Sequence, residues 1–214
     1  MKSLFIMLGI AALALVGTTV LAEEKTFDVD GDGYIRNWLT LPAIELDENA
    51  STHEEDSQKG FFAKEFFPKQ KTATPADGDK VKIGSKEVAW KAKQIDESIW
   101  TFDEQDNCMN VGVAYIVCEN DLADVKLSIG SDDSSLWLLN GAEVIRVYAG
   151  RAVEADQDQS KPVTLKKGKN VLYMATINGG GPTGCCARFL DKDGKAVKGI
   201  KITLTPPPAP EEKK

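Results

Sequence analysis

Between Val125 and Ile129 apolar residues alternate with Lys126 and Ser128, the period of a strand with one face buried. Small polar residues, Gly130 to Ser135, then predict a turn, and the apolar burst Leu136 to Leu139 predicts a second strand that stops at Asn140-Gly141. Asn-Gly between apolar runs is a strong hairpin signal, because both turn residues take positive φ. The same alternation recurs along the chain. Tyr34 to Leu41 reads as a strand ending at Pro42, with Trp38 in the core, and Val81 and Ile83 alternate. Val88, Trp90 and Ala92 share a face opposite Glu87, Lys91 and Lys93, and Ile99 to Phe102 is a short apolar run. Met109 to Val117 is apolar on both faces, as a centrally buried strand is. Val144 to Tyr148 follows the Asn-Gly turn. Val163 to Leu165 and Asn170 to Ile177 bracket a hairpin signal at Lys166–Lys169, and Arg188 to Leu190 and Ile200 to Leu204 flank Asp193-Gly194. About nine or ten short strands at this spacing predict an all-β fold, an antiparallel β-sandwich of jelly-roll type. The stretch at about 45–79 is irregular, with Phe61-Phe62 and Phe66-Phe67 as a helical turn or as apolar latches onto the sandwich.

The ends read differently. Lys2, the apolar run Leu4 to Val16 and the small residues at Val20 to Ala22 form a cleavable signal peptide over residues 1–22. Gly17-Thr18-Thr19 interrupts the run, short of the about 20 apolar residues that span a bilayer. One domain over 23–205 follows, then a disordered proline-rich tail over 206–214 that cannot join a sheet ladder. The expected location is secreted, periplasmic or extracellular, without membrane insertion. With 26 basic residues against 33 acidic ones, net −7, the chain has no electrostatic footprint for nucleic acid.

Four cysteines in an exported chain suggest disulfides. Cys108 and Cys118 flank one apparent strand, about 33 Å apart at ~3.3 Å per residue, whereas disulfide Cα atoms lie ~4.4–6.8 Å apart. Cys185 and Cys186 are neighbours and cannot reach both ends of it. At most one long-range bridge is expected, and Cys118 with Cys186 is the pair an antiparallel neighbour would bring together.

Several motifs are weaker than they look. Asp28-Val29-Asp30-Gly31-Asp32-Gly33 is the first half of a D-x-D-x-D-G calcium loop, but Leu39 stands where the bidentate carboxylate belongs. His53-Glu54-Glu55-Asp56 lacks the second histidine of a zinc protease and reads as an exposed polar loop. Gly179, Gly181 and Gly184 spell G-x-G-x-x-G, yet a β-prone run follows instead of a helix, so it is a strand connection rather than a dinucleotide site. There is no G-x-S-x-G elbow, and a glycosidase pair needs a cleft that a small sandwich rarely has. The expectation is a protein that is not an enzyme. Among aromatics able to stack on a sugar ring, Tyr148 and the ambiguous Trp137 stand out, since Leu136, Trp137 and Leu138 are all apolar. The adjacent carboxylates of Asp132 and Asp133 repel one another unless a cation or backbone donors neutralise them, which leaves a calcium site and a turn held by backbone N–H groups both open.

The run Ser131-Asp132-Asp133 to Gly141, with Ile35 to Pro42 and Leu165 to Leu172, resembles secreted bacterial carbohydrate-binding β-sandwich modules, including lectin modules of the protective-antigen and flocculin type or galactose-binding-like jelly rolls. The resemblance covers about Gly33 to Leu204. It implies a module that binds carbohydrate or a cell-surface glycan or protein. In calcium-dependent members paired aspartates hold the ion, which implies Asp132 and Asp133 here, with Asn178 or Asp156 as the third, loop-borne ligand. Trp137, Tyr148 and Asn178 are then the ligand-binding residues expected. The rival expectation is a self-assembling structural subunit of an envelope or extracellular layer, tethered by the proline tail.

Overall fold

The computed structural model describes residues 24–208, so the signal-peptide reading at 1–22 and the end of the tail, 209–214, lie outside the described residues. Sixteen strands form: β1 (Thr26–Asp28), β2 (Asn37–Thr40), β3 (Ile44–Glu45), β4 (Lys80–Ile83), β5 (Lys86–Ala89), β6 (Lys91–Gln94), β7 (Trp100–Thr101), β8 (Cys108–Cys118), β9 (Leu122–Asp132), β10 (Ser135–Leu139), β11 (Ala142–Val147), β12 (Asp158–Gln159), β13 (Val163–Leu165), β14 (Gly168–Asn178), β15 (Gly184–Leu190) and β16 (Ile200–Thr203). Nine of them make one sheet, ordered β1-β16-β8-β14-β10-β11 with β2, β3 and β6 attached. Five make the facing sheet, β12-β9-β15-β7 with β13, and β4–β5 is a separate hairpin. The fold is an antiparallel β-sandwich.

Alternation along the central strands sorts their side chains into two cores. From β8, Ala114, Ile116 and Cys118 join Trp137 of β10, Leu172 and Met174 of β14, and Leu127, Ile129 and Phe189 of the smaller sheet. This core lies between the sheets. The intervening residues Met109, Val111, Val113 and Tyr115 join Leu136, Leu138 and Tyr173 on the outer face of the larger sheet. That face is covered by the irregular stretch, now resolved as a strap. It contains a 3-10 turn (Glu48–Thr52) and one helix, α1 (Glu55–Ala63). Phe62 and Phe67 are buried, and so is Trp90 just beyond. Each such ring contributes roughly 1.5–3 kcal/mol through burial. Gln70 pins the strap: its Nε2 donates to the Tyr173 hydroxyl at 2.9 Å, and its Oε1 accepts from the Phe66 N–H at 2.8 Å. Tyr115 donates its hydroxyl to the Pro75 carbonyl at 2.6 Å. The doubly apolar β8 and the all-apolar Leu136–Leu138 run therefore have one cause, a sheet covered on both sides.

Asn140 and Gly141 have φ of 51° and 80° and close the β10–β11 hairpin as expected. Three other connections differ from expectation. The polar turn at Gly130–Ser135 shrinks to Asp133-Ser134, and β9 and β10 belong to different sheets. Around Lys166–Lys169, β13 pairs with β9 while β14 pairs with β8, so this is a crossing and not a hairpin. Likewise β15 and β16 belong to different sheets. Alternation reports that one face of a strand is buried, and a sandwich offers the same burial from either sheet.

The disulfide expected between Cys118 and Cys186 is not formed; all four cysteines are free and buried. At Cys118 the antiparallel neighbours of β8 are β14 and β16, whereas β15 pairs with β9 in the other sheet. Cys118 and Cys185 face the inter-sheet core, while the Cys186 thiol turns out toward the Glu154 carbonyl. Among the described residues no helix is long and apolar enough to cross a membrane.

Candidate functional site

The chain crosses between sheets at Asp132-Asp133, a cis peptide, and the crossing is stitched to the end of β14. Asp133 N–H donates to the Ile177 carbonyl at 3.0 Å, and Ile177 N–H donates to Ser134 at 2.8 Å. Loops following β11 and β14 converge here, and so does the strap.

The two aspartates do different things. Asp133 is buried, and each carboxylate oxygen accepts a backbone N–H from a different loop: Arg151 at 3.0 Å and Gly179 at 2.9 Å. These donors lie 18 and 46 residues away, so Asp133 clasps two loops and is not the former of a local turn. Asp132 is half-buried, and no Lys or Arg acts on its carboxyl among the described residues. Its carboxyl is pushed up to about 6, first by burial and then by the Asp133 carboxylate against it; the Val153 backbone N–H and His53 pull the other way. Arg151 does not neutralise it, because its guanidinium is bound to Asp158 at 2.6 Å and to Ser131.

His53, read from sequence as an exposed loop residue, belongs to this cluster. It ends the 3-10 turn with φ 54°, and its ring fills a slot between Gly150 and Gly179. A Cβ on Gly150 would lie 2.7 Å from His53 Cδ2, and one on Gly179 would lie 2.8 Å from His53 Cε1. The ring's Nδ1 is buried without a hydrogen-bond partner. The only sequence signal for this was the pair of glycines in distant loops, which says nothing of a partner.

The other expected site residues are placed elsewhere or already committed. Trp137 is fully buried, its Nε1 donating to Ser135 Oγ at 3.0 Å and its ring 6.3 Å from that of Trp38, so it has no surface for a sugar. Tyr148 is half-buried, its hydroxyl accepting from Arg146 at 3.0 Å and its ring against Phe62. Asn178 is buried and organises the glycine loop: Nδ2 donates to the Gln105 and Gly181 carbonyls, and Oδ1 accepts from Gly180. Asp156 is paired with Arg188 and accepts from Ser128 at 2.6 Å; the Arg188 contact holds its carboxyl below the usual range. The side chains of Asn178 and Asp156 are thus already engaged. The half calcium loop closes on itself, with Asp30 accepting from the Asp32 and Tyr34 N–H groups and pairing with Arg36 at 2.8 Å. Gly184 opens β15, so the G-x-G-x-x-G stretch is a strand connection as expected.

The all-oxygen donor set of Asp132 and Asp133 suits a hard cation such as calcium rather than zinc. Among the described residues no three His, Cys, Asp or Glu side chains converge to complete a site, so further ligands to an ion there would have to be loop carbonyls or water.

No protein-family model and no curated protein matches the chain. Several solved structures are similar to it. One is the PA14 domain of the antifreeze protein MpAFP, at 12% identity and a TM-score of 0.38, covering 87% of this chain and 96% of that one. Another is the A domain of a subtype-switched epithelial adhesin from Candida glabrata in complex with β-lactose, at 10% identity and a TM-score of 0.38, covering 85% and 89%.

Proposed function

We propose that this protein is an exported, non-enzymatic module that binds carbohydrate or a cell-surface glycan at the Asp132–Asp133 loop cluster, with calcium as the ion Asp132 and Asp133 hold. The observation that carries this reading is Asp132: a half-buried carboxylate against a second carboxylate, raised to about 6, with no Lys or Arg acting on it among the described residues. A divalent cation relieves that repulsion directly. The site sits among loops at one end of a rigid sandwich, the usual place for recognition. Carboxylates in contact also lack the ~5–9.5 Å separation of a glycosidase pair, which favours binding over hydrolysis.

Thermal unfolding tests the ion, and Asp132→Asn is the informative variant because Asp133 also holds two loops. Calcium at about 100 times its Kd should stabilise the wild type by about 2.7 kcal/mol over chelator-treated protein, and Asp132→Asn should abolish the shift. A glycan array with calcium and with chelator tests the ligand. An unshifted melting temperature retires the ion. Concentration-dependent oligomers without glycan binding would favour the structural subunit instead.

A further inference from the structure

A second cluster of recognition groups lies along the open side of the sandwich, between β6, at one margin of the larger sheet, and β7, at the margin of the smaller. Among the described residues β7 pairs only with β15, and β6 only with β2. Between them runs a cleft of about 280 Å3 with Asn110, Thr40, Trp100 and Phe102 in its lining. It continues past Pro42-Ala43 and Gln105 into a cleft of about 460 Å3. In the other direction, past Lys93, Trp100 and Thr101, it meets one of about 340 Å3. The three form a trough.

Asn110 makes this trough more than a surface irregularity. It sits on the central strand β8 and is 7% exposed, yet the one hydrogen bond of its side chain is from Nδ2 to the Cys108 sulfur at 3.7 Å. Its Oδ1 has no partner among the described residues. That oxygen is not sealed in the core but open to the cleft, so the amide stands free at the floor of the trough. The side chain lines the cleft, so it offers a donor and an acceptor to whatever lies there. Beside it the edges of Trp100 and Phe102, rings otherwise buried in the inter-sheet core with centroids 4.6 Å apart, give one side of the cleft an apolar margin. Gln105, Thr101 and Asp103 add exposed polar groups, and Lys93 balances the carboxylate.

We infer that this trough binds a neutral oligosaccharide, with Asn110 reading a hydroxyl of one sugar unit at its floor. An amide, hydroxyls and apolar ring edges match a ligand that presents both hydroxyls and C–H groups. Three adjoining clefts suit a chain of several units rather than one ring. An added peptide strand fits less well, because β7 offers only two residues as a template and β6 carries lysines at alternate positions, a common guard against strand addition. The site shares only its ligand class with the proposed function and needs neither calcium nor Asp132.

The test is amide-detected NMR titration in chelator with cellohexaose, mannohexaose, maltohexaose and xylohexaose, which leaves any calcium-dependent site silent. At least one should bind, shifting Asn110, Thr101 and Gln105. Asn110→Ala should weaken it about tenfold or more with an unchanged melting temperature, since that side chain holds little in place. Thr101→Trp, at an exposed position, should block the trough to a similar degree. Binding by none of the four, equal binding by both variants, or shifts centred on Asp133 would overturn the inference. So would an extended peptide that binds the trough where the sugars do not. Glycan binding that is lost in chelator and in Asp132→Asn but untouched by Asn110→Ala would leave the crossover site standing and remove this one.

Discussion

Adjacent carboxylates of one residue type take opposite parts at Asp132 and Asp133. Asp133 is stabilised by two charge-assisted bonds from N–H groups that have no other acceptor. Such bonds contribute ~1.5–3 kcal/mol each, so Asp133→Ala should lower stability by about 3–5 kcal/mol in urea unfolding. Asp132→Asn should do the reverse. Its carboxyl titrates at about 6 in the folded chain against an ordinary 3.8. Between those values the folded chain keeps a proton that the unfolded chain has released, so this group's contribution falls as pH rises from about 4 to about 6. Solvent screening at a partly exposed group reduces the effect to about 1 kcal/mol. In chelator, Asp132→Asn should therefore be more stable than wild type at pH 7, with the difference gone below pH 4; equal stability across that range would show that the pair carries no strain. The sequence displayed the pair and its repulsion. It did not display which aspartate the loops use, because Arg151 and Gly179 are remote in the chain. Asn178 likewise looked like a ligand and is spent on the loop beside it.

At the scale of elements, the strap over residues 46–79 is the part least legible in the chain. Its apolar residues fall in pairs without a sustained period, since it packs by isolated side chains onto a face that β8, β10 and β14 have already made apolar. Phe62 is one such anchor, and Phe62→Ala should cost about 3–5 kcal/mol, measured by denaturant unfolding. His53 is another, and its slot gives a coupling test. The three atoms nearest to a Cβ on Gly150 all belong to the His53 ring. Gly150→Ala should thus cost about 1–3 kcal/mol in the wild type and almost nothing once His53→Ala has emptied the slot. Gly179→Ala should stay costly in both backgrounds, because Ser51 Cα, a backbone atom, lies 2.9 Å from its Cβ position. Equal penalties for Gly150→Ala in both backgrounds would place the ring elsewhere.

For the whole molecule, strand existence was readable and sheet membership was not, and the cysteines show the consequence. Pairing Cys118 with Cys186 assumed that β15 lies beside β8. Instead two strands of the larger sheet, β14 and β16, flank β8 at Cys118, and β15 lies in the facing sheet with the Cys186 thiol on its outer side. Burial then governs the thiols. It pushes Cys108 and Cys186 up to about 11 and raises Cys118 and Cys185 as well. Thiolate is the reactive form, so all four should be inert in the folded chain. An oxidising compartment usually pairs cysteines, but it cannot join thiols that the fold keeps apart and covered. Folded protein at pH 8 should therefore show no fast reaction with Ellman's reagent, and four thiols should react once denaturant is added. Its intact mass should match the fully reduced chain. A non-reduced peptide map joining Cys118 to Cys186 would require the ends of β8 and β15 to meet, and the order of strands in both sheets would have to be redrawn.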